Sequence, residues 1–342
     1  MIYGANGYSG KIIAREAKSR GLKPILAGRN QNAIADICSE LDLESRIFPC
    51  ESPDQIIPNL QDISLVLHCA GPFQRTFSPM IEACLCTQTH YLDITGEILV
   101  FENLLNRSQQ FIDAGIVVMP GVGFDVFPTD CLASLLKNEL PDANQLRLGF
   151  HPHGPIGPGS LLTMLQGTYT SSAVRKDGVI QNIPPGSLAR QIIFEDKALP
   201  CIAIPWGDVS TAYYSTGIAN IEVYIPTTRL KRLLMRLSGY LSEGMMDRLG
   251  RLLENWIRSK VKGPSPQVLD STGANLYGEA LNSRGQRVEL RYRCPNVYSI
   301  TVDASLLCVK AVLEGEVQPG AWTPSQALGA SSLNQLEGLE EL

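Results

Sequence analysis

The densest chemical signal in the chain is Gly4-Ala5-Asn6-Gly7-Tyr8-Ser9-Gly10, three glycines evenly spaced beside small polar residues. Residues without a Cβ let the backbone turn tightly and carry its amides up against phosphate oxygens. The positive end of a following helix then faces the same charge. A glycine pattern of this kind is also an ordinary turn unless a strand precedes it and a helix follows. Met1-Ile2-Tyr3 reads as the strand, and Lys11 to Arg20 carries helical spacing, with Gly21 as its stop signal. In that setting Gly4, Asn6, Gly7, Tyr8, Ser9 and Gly10 are expected to hold a pyrophosphate. The spacing G-x-x-G-x-x-G is a variant of the familiar G-x-G-x-x-G. Only three residues precede Gly4, too few for a full first strand; either the native start lies upstream of Met1 or this strand is unusually short.

A second constellation concerns the choice of dinucleotide. An NAD site usually carries an acid about 20 residues after the glycine loop, where it accepts from the ribose 2′-hydroxyl. Here Ala27-Gly28-Arg29-Asn30 stands instead, and residues Gly28 to Ala35 contain no acid. A guanidinium pairs well with a phosphate dianion, so Arg29 and Asn30 are expected beside the 2′-phosphate of NADP(H). The alternative is a solvated loop arginine.

Three further segments combine small residues with polar or aromatic ones: Ala70-Gly71-Pro72-Phe73, Asp93-Ile94-Thr95-Gly96-Glu97 and Gly121-Val122-Gly123-Phe124-Asp125. Each follows a strand-like run, at the carboxyl end where ligands bind in parallel sheets. Taken singly each is a tight turn. Together they suggest a nicotinamide rim, with Ala70, Gly71, Pro72, Phe73, Thr95, Gly96 and Glu97 as cofactor contacts.

The elements that must position these residues alternate. Strands are expected at Pro24 to Ala27, Ser45 to Pro49, Ile63 to Ala70, His90 to Ile94 and Ile116 to Met119. Helices are expected at Asn32 to Leu41, about Pro79 to Cys86 and about Ile98 to Ala114. Near-continuous apolar runs such as Ile63 to Ala70 suit strands buried on both faces. Repeated β-α units imply an α/β fold, a Rossmann-type doubly wound parallel sheet. Beyond about residue 130 the pattern changes. Arg147 to His151 starts new strand sequence, Ile218 to Ile225 alternates with period two, and Leu276 to Asn282 with Gln286 to Cys294 reads as an antiparallel hairpin. Thr301 to Leu313 reads as a helix. The organisation expected is therefore a Rossmann domain over 1–130, an α+β substrate or lid domain with an antiparallel sheet over 131–330, whose C-terminal helix returns to the first domain in one version, and a flexible tail over 331–342.

Composition narrows the function classes. The chain has 342 residues, 44% of them hydrophobic, and a net charge of −5. That is ample for two cores and gives no footprint for nucleic acid. The nine cysteines are scattered; Cys84 and Cys86 have the wrong spacing for a zinc knuckle or C-x-x-C motif. Scattered thiols fit a reducing cytoplasm. No leader pattern opens the chain and no run reaches the length of a spanning helix. His151 and His153 either begin a metal site or mark a strand end; with no further Cys/His constellation nearby, no metal is expected. No nucleophile elbow is present, which argues against hydrolase chemistry.

Residues 227–262 depart from the acidic average, with Arg229, Lys231, Arg232, Arg236, Arg248, Arg251, Arg258, Lys260 and Lys262 against Glu243, Asp247 and Glu254. Leu230, Leu233, Leu234, Leu237 and Leu241 recur at helical spacing. One reading is a helix pair packed on the second domain with a solvated basic face. The other is a lipid-facing element that touches an anionic membrane peripherally.

The combination Tyr3 to Gly10, Ala27-Gly28-Arg29-Asn30, Ala70 to Phe73, Tyr91 to Glu97 and Gly123-Phe124-Asp125-Val126-Phe127-Pro128-Thr129-Asp130 resembles the saccharopine dehydrogenase-like oxidoreductases. The resemblance extends to Trp206-Gly207-Asp208-Val209-Ser210-Thr211-Ala212-Tyr213-Tyr214-Ser215-Thr216-Gly217 and the C-terminal helix. Within the family it points to the branch of the trans-acting enoyl reductases. It implies NADP(H)-dependent hydride transfer to a small or lipid-like substrate in a cleft between domains. A protein group then needs only to orient or donate a proton; Asp125 and Tyr214 lead as candidates, with Asp208 and Tyr169 behind. Two other classes stay open, a non-catalytic NADP(H)-binding regulator and a membrane-associated binding protein on the same scaffold. Substrate identity, reaction direction and oligomeric state are not legible.

Overall fold

The computed structural model describes residues 1–342 except 156, 158–160, 162–171, 239–249, 251, 252, 254, 255, 258, 259 and 262. The chain forms two compact units, one of residues 1–127 and 298–329, the other of residues 128–297 and 330–342.

The first unit is built on seven parallel strands: β1 (Ile2–Tyr3), β2 (Leu26–Gly28), β3 (Ser45–Ile47), β4 (Leu65–His68), β5 (His90–Asp93), β6 (Val117–Met119) and β15 (Gly320–Ala321). Their order is β15-β6-β5-β4-β1-β2-β3, and every pairing is parallel. This is the doubly wound arrangement expected. Its strand order reverses direction at β1, which pairs with β2 on one side and β4 on the other. In doubly wound sheets this switch point, beyond the strands' carboxyl ends, is where ligands bind. All four residues of β4 are buried, as a strand covered on both faces requires, whereas the edge strand β3 is largely exposed.

The strand β1 is short, two residues. Two of the expected helices differ from their reading. The helix expected at Pro79 to Cys86 runs over Phe73–Thr87. Its apolar face (Phe73, Phe77, Met80, Ile81, Cys84) is continuous through Pro79, which therefore does not mark the start. The single helix expected over Ile98 to Ala114 is two, Ile98–Leu105 and Ser108–Ala114, broken at Asn106 and Arg107. The helix Val297–Leu313 groups with this unit from Tyr298 onward.

The second unit carries a mixed sheet: β7 (Gln145–Pro152), β8 (Ser172–Lys176), β9 (Val179–Ile183), β10 (Ala189–Ile193), β11 (Ala198–Ala203), β12 (Asn220–Pro226), β13 (Gly273–Leu281), β14 (Arg287–Pro295) and β16 (Glu340–Glu341). The main path is β10-β11-β12-β7-β13-β14-β16, with β8 bridging β12 and β9. Among the described strands only β7 and β12 run parallel; the other pairings are antiparallel. The β13–β14 hairpin turns through Gly285, whose positive φ of 81° suits the residue without a Cβ. The last residues are not a free tail: Leu333 and Leu336 are buried, and β16 pairs with β14. Two apolar anchors and the pairing with an open sheet edge hold these residues in place of the flexible tail expected. Among the described residues no helix is long and apolar enough to cross a membrane.

Candidate dinucleotide site

The glycine loop leaves β1 and enters the helix Tyr8–Ser19 without an intervening residue to spare. Each glycine answers a different steric demand. Gly4 sits at φ +84°, and a Cβ there would lie 2.9 Å from Ala70 Cβ, so the loop after β1 and the loop after β4 touch. A Cβ on Gly10 would run into the Gly4 carbonyl oxygen; only glycine lets the helix pack on the strand so closely. Gly7 donates its amide to Gly4 O at 2.9 Å, and Lys11 in turn donates to Gly7 O at 2.9 Å, closing the turn into the helix. Gly7 offers no capping side chain, and the first helical turn carries no acid. That cradle fits the pyrophosphate of a dinucleotide, because nothing on it competes for the helix's positive end. Asn6 leans across to β2, its Oδ1 only 2.9 Å from where a Cβ of Gly28 would stand.

At the end of β2, Arg29 and Asn30 are both exposed. Asn30 has a local task, since its Oδ1 accepts from Ala33 N at 3.1 Å and caps the helix Gln31–Leu41. Arg29, directly after the strand, is an exposed cation.

The other rim loops are held by carboxylates. Asp93, at the end of β5, is fully buried. Its Oδ1 accepts from Thr95 N at 3.0 Å and Gly121 N at 2.9 Å, and its Oδ2 accepts from the Tyr91 hydroxyl at 2.7 Å. One side chain thus ties the loop after β5 to the loop after β6. Burial lifts its carboxyl to about 6 despite those donors. Glu97 performs the matching task towards β4. Its two oxygens accept from Phe73 N at 2.9 Å and Gln74 N at 2.8 Å, capping the helix Phe73–Thr87 from another loop. Burial raises the Glu97 carboxyl, and the two amides hold it back. Thr95 is committed as well, its hydroxyl accepting from Glu97 N at 3.1 Å. So Glu97, Phe73 and Thr95, expected as cofactor contacts, brace the rim and position what lies on it.

Asp125 stands against this brace. Its Oδ2 would lie 3.3 Å from a Cβ on Gly96, so the two loops are in contact there. Burial raises the Asp125 carboxyl to about 7, and the charge of Glu97 adds to the rise. The loop carrying it is pinned from the helix Val297–Leu313, where the Thr301 hydroxyl accepts from Phe124 N at 3.1 Å. The same helix sets Tyr298 edge-on to Tyr8, ring centroids 4.7 Å apart. Sequence reasoning passes over two residues here. Asp93 reads in sequence only as part of a loop, although an acid closing an apolar strand is its signal. His68 is fully buried among Tyr3, Phe73 and Tyr91. Its Nε2 meets the Thr76 hydroxyl at 2.9 Å, and its Nδ1 has no hydrogen-bond partner among the described residues. Burial lowers its pKa to about 3, so it stays neutral. A lone histidine within β4 is the available sign.

The second unit holds the remaining candidates. Asp208 is buried at the start of the helix Asp208–Thr216, and Tyr214 lies later on it, its ring edge-on to Tyr213 with centroids 5.9 Å apart. Ser215 donates from the same helix to the buried Asp130. Tyr169 falls outside the described residues. The His151 and His153 rings meet edge to face at 4.5 Å where β7 ends.

The strand order and the glycine cradle define the class: a doubly wound dinucleotide-binding protein with a second, largely antiparallel sheet. Comparison with solved structures gives the same fold over the whole chain. Yeast saccharopine dehydrogenase (L-Glu forming) superposes with a TM-score of 0.66 at 12% identity, covering 100% of this chain and 98% of that one. Homospermidine synthase from Legionella pneumophila, solved with NAD, gives 0.68 at 8% identity, covering 100% and 90%. No protein-family model matches the chain. Among curated sequences, the trans-acting enoyl reductase of Mycobacterium tuberculosis is 30% identical over 189 residues, 51% of this chain and 45% of that protein. That of Mycobacterium leprae is 30% identical over 138 residues, 38% of this chain and 33% of its own. The matches thus span less than half the length of these relatives. The resemblance read from the motifs is borne out: the chain is similar in sequence to trans-acting enoyl reductases over about half its length, and it shares its fold with saccharopine dehydrogenase.

Proposed function

We propose that this chain is an NADP(H)-dependent reductase acting on a conjugated double bond in a lipid-like acyl substrate. The observation that carries the cofactor choice is the end of β2, where an exposed Arg29 replaces the customary acid beside the glycine cradle. The reaction class follows the trans-acting enoyl reductases that the sequence resembles. The nicotinamide supplies the hydride when bound. The chain's own part is to hold the pyrophosphate on Gly4 to Gly10, to meet the 2′-phosphate with Arg29, and to keep the rim in register through Asp93 and Glu97. Reduction of a conjugated bond also consumes a proton, and Asp125, whose carboxyl lies at about 7, is the group of this rim fitted to hold one near neutral pH. Tyr214 is the candidate from the second unit.

Fluorescence titration of NADPH and NADH against wild type and Arg29→Ala tests the cofactor. A bidentate guanidinium–phosphate contact is worth on the order of 1.5–3 kcal/mol, about ten- to a hundredfold in affinity. Wild type should prefer NADPH by that factor, and Arg29→Ala should lose the preference while NADH binding stays. A wild-type preference for NADH overturns the assignment. Loss of NADPH absorbance with a long-chain trans-2-enoyl thioester tests the reaction; tight NADPH binding with no consumption across chain lengths refutes the reductase reading and leaves a cofactor-binding regulator.

A further inference from the structure

We infer that the helix Arg229–Ser238 is a peripheral membrane-docking element that lies flat on an anionic lipid surface. This rests on the second unit alone and is independent of the dinucleotide reading.

An ordinary surface helix turns its apolar stripe inward and its charges to water. This helix is mounted the other way round. Leu230, Leu233, Leu234 and Leu237 are 66%, 54%, 54% and 53% exposed. What faces the protein is Met235, 5% exposed, and Arg232, whose Nε donates to Gly186 O at 3.0 Å. The attachment continues at Gly186, where a Cβ would stand 3.2 Å from the Arg232 carbonyl oxygen and 3.3 Å from Arg236 Cγ. The Thr228 hydroxyl accepts from Lys231 N at 3.2 Å and fixes the helix start. The outward direction of the leucines is therefore set by contacts on the opposite face.

At about 100° per residue the four leucines cover a stripe roughly 100° wide. Arg229 borders that stripe on one side and Lys231 on the other, both exposed, and exposed Arg236 lies further round beyond Arg229. Cations along both margins of an apolar stripe are the arrangement of a helix at a membrane surface. Leucines enter the acyl boundary while basic groups remain at the level of the headgroups. Further along the chain Leu253 is 40% and Trp256 57% exposed, and Lys260 is exposed too. Leu241, Arg248, Arg251, Arg258 and Lys262, with the acids Glu243, Asp247 and Glu254, lie outside the described residues. Tryptophan and basic side chains both favour the interface between water and lipid.

Charge selects the occupant. Residues 227–262 carry nine cations and three acids within a chain of net charge −5. A second copy docked on the same stripe would set Arg229 and Lys231 against their own kind, which disfavours a self-association through this face. An anionic bilayer supplies both the apolar layer and the opposite charge, and its surface potential attracts basic residues that come close.

Flotation of the full chain with vesicles of phosphatidylcholine alone, or of phosphatidylcholine with phosphatidylglycerol, decides the matter. The chain should float with the anionic vesicles at low salt, release at high salt and ignore the neutral ones. Arg229→Gln/Lys231→Gln/Arg236→Gln should weaken binding about fivefold per charge, on the order of a hundredfold in all. Leu230→Gln/Leu233→Gln/Leu234→Gln/Leu237→Gln keeps the charges, removes only exposed side chains and should abolish flotation while thermal stability and NADPH binding stay as in wild type. No flotation of wild type at low salt overturns the proposal. Unchanged flotation of the leucine variant overturns it as well. So does a concentration-dependent dimer that the leucine variant dissolves, seen without vesicle binding, because the stripe would then join two copies.

Discussion

Replacing Asp125 by asparagine should make the protein more stable, and only above a defined pH. The Asp125 carboxyl titrates at about 7 in the fold against 3.8 for an exposed one, chiefly because burial penalises its charge and secondly because Glu97 repels it. A group whose folded value is raised is favoured in its protonated form. Between pH 3.8 and about 7 the native state binds more protons than the unfolded chain, so stability falls as pH rises through that window and is level above it. At 1.36 kcal/mol per pH unit the gap corresponds to on the order of 4 kcal/mol. The asparagine side chain has nearly the same shape and never ionises. The variant should match wild type at pH 4 and gain steadily to pH 8, where its melting temperature should stand higher by on the order of 10 °C, at about 2–4 °C per kcal/mol. Thermal unfolding of both proteins from pH 4 to pH 8 checks it. If Asp125 is also the proton source, the same variant loses turnover while NADPH affinity holds. A stability difference that does not vary with pH, or a variant less stable at pH 8, refutes the reasoning, because the carboxylate would then be satisfied rather than penalised.

Other perturbations follow from the same geometry. Gly10→Ala drives a Cβ into the Gly4 carbonyl oxygen; the backbone must shift, and NADPH titration should show binding lost, while Gly7→Asp should abolish it through charge at the phosphate position, so retained affinity in either would move the cofactor elsewhere. Glu97→Gln leaves a side-chain amide nitrogen facing a backbone amide of Phe73 or Gln74, so denaturant unfolding should show a loss of about 2 kcal/mol, and the Asp125 titration should move to lower pH as the repelling charge disappears. Tyr214→Phe, with no place on the phosphates, should lower kcat and leave the NADPH dissociation constant unchanged; equal activity would remove it from the candidates.

The doubly wound sheet and its glycine cradle were legible in the sequence because they are local. A strand buried on both faces shows as an apolar run, as Leu65–His68 does, and a loop that must do without Cβ atoms shows as glycines at fixed spacing. The missing acid after β2 was legible for the same reason, since it stands at a set distance from that loop. The ends of elements were less so: Pro79 looked like a helix start, whereas the capping group for Phe73–Thr87 is Glu97, which comes from another loop. Only the tertiary structure decided what the rim acids do. Asp93, Glu97 and Asp125 are all carboxylates in the sequence. Two became braces and one was left at a carboxyl value near neutrality, because each met a different set of neighbours at a different depth. The same limit applied to the basic helix. Periodicity tells that Leu230, Leu233, Leu234 and Leu237 share a face, but not which face the protein takes as its own. That was settled by Met235 and by Arg232 on the Gly186 carbonyl, the latter a contact across 46 positions of sequence. A residue's type and its neighbours in the chain fix what it can bind; which partner it meets depends on segments that only folding brings beside it.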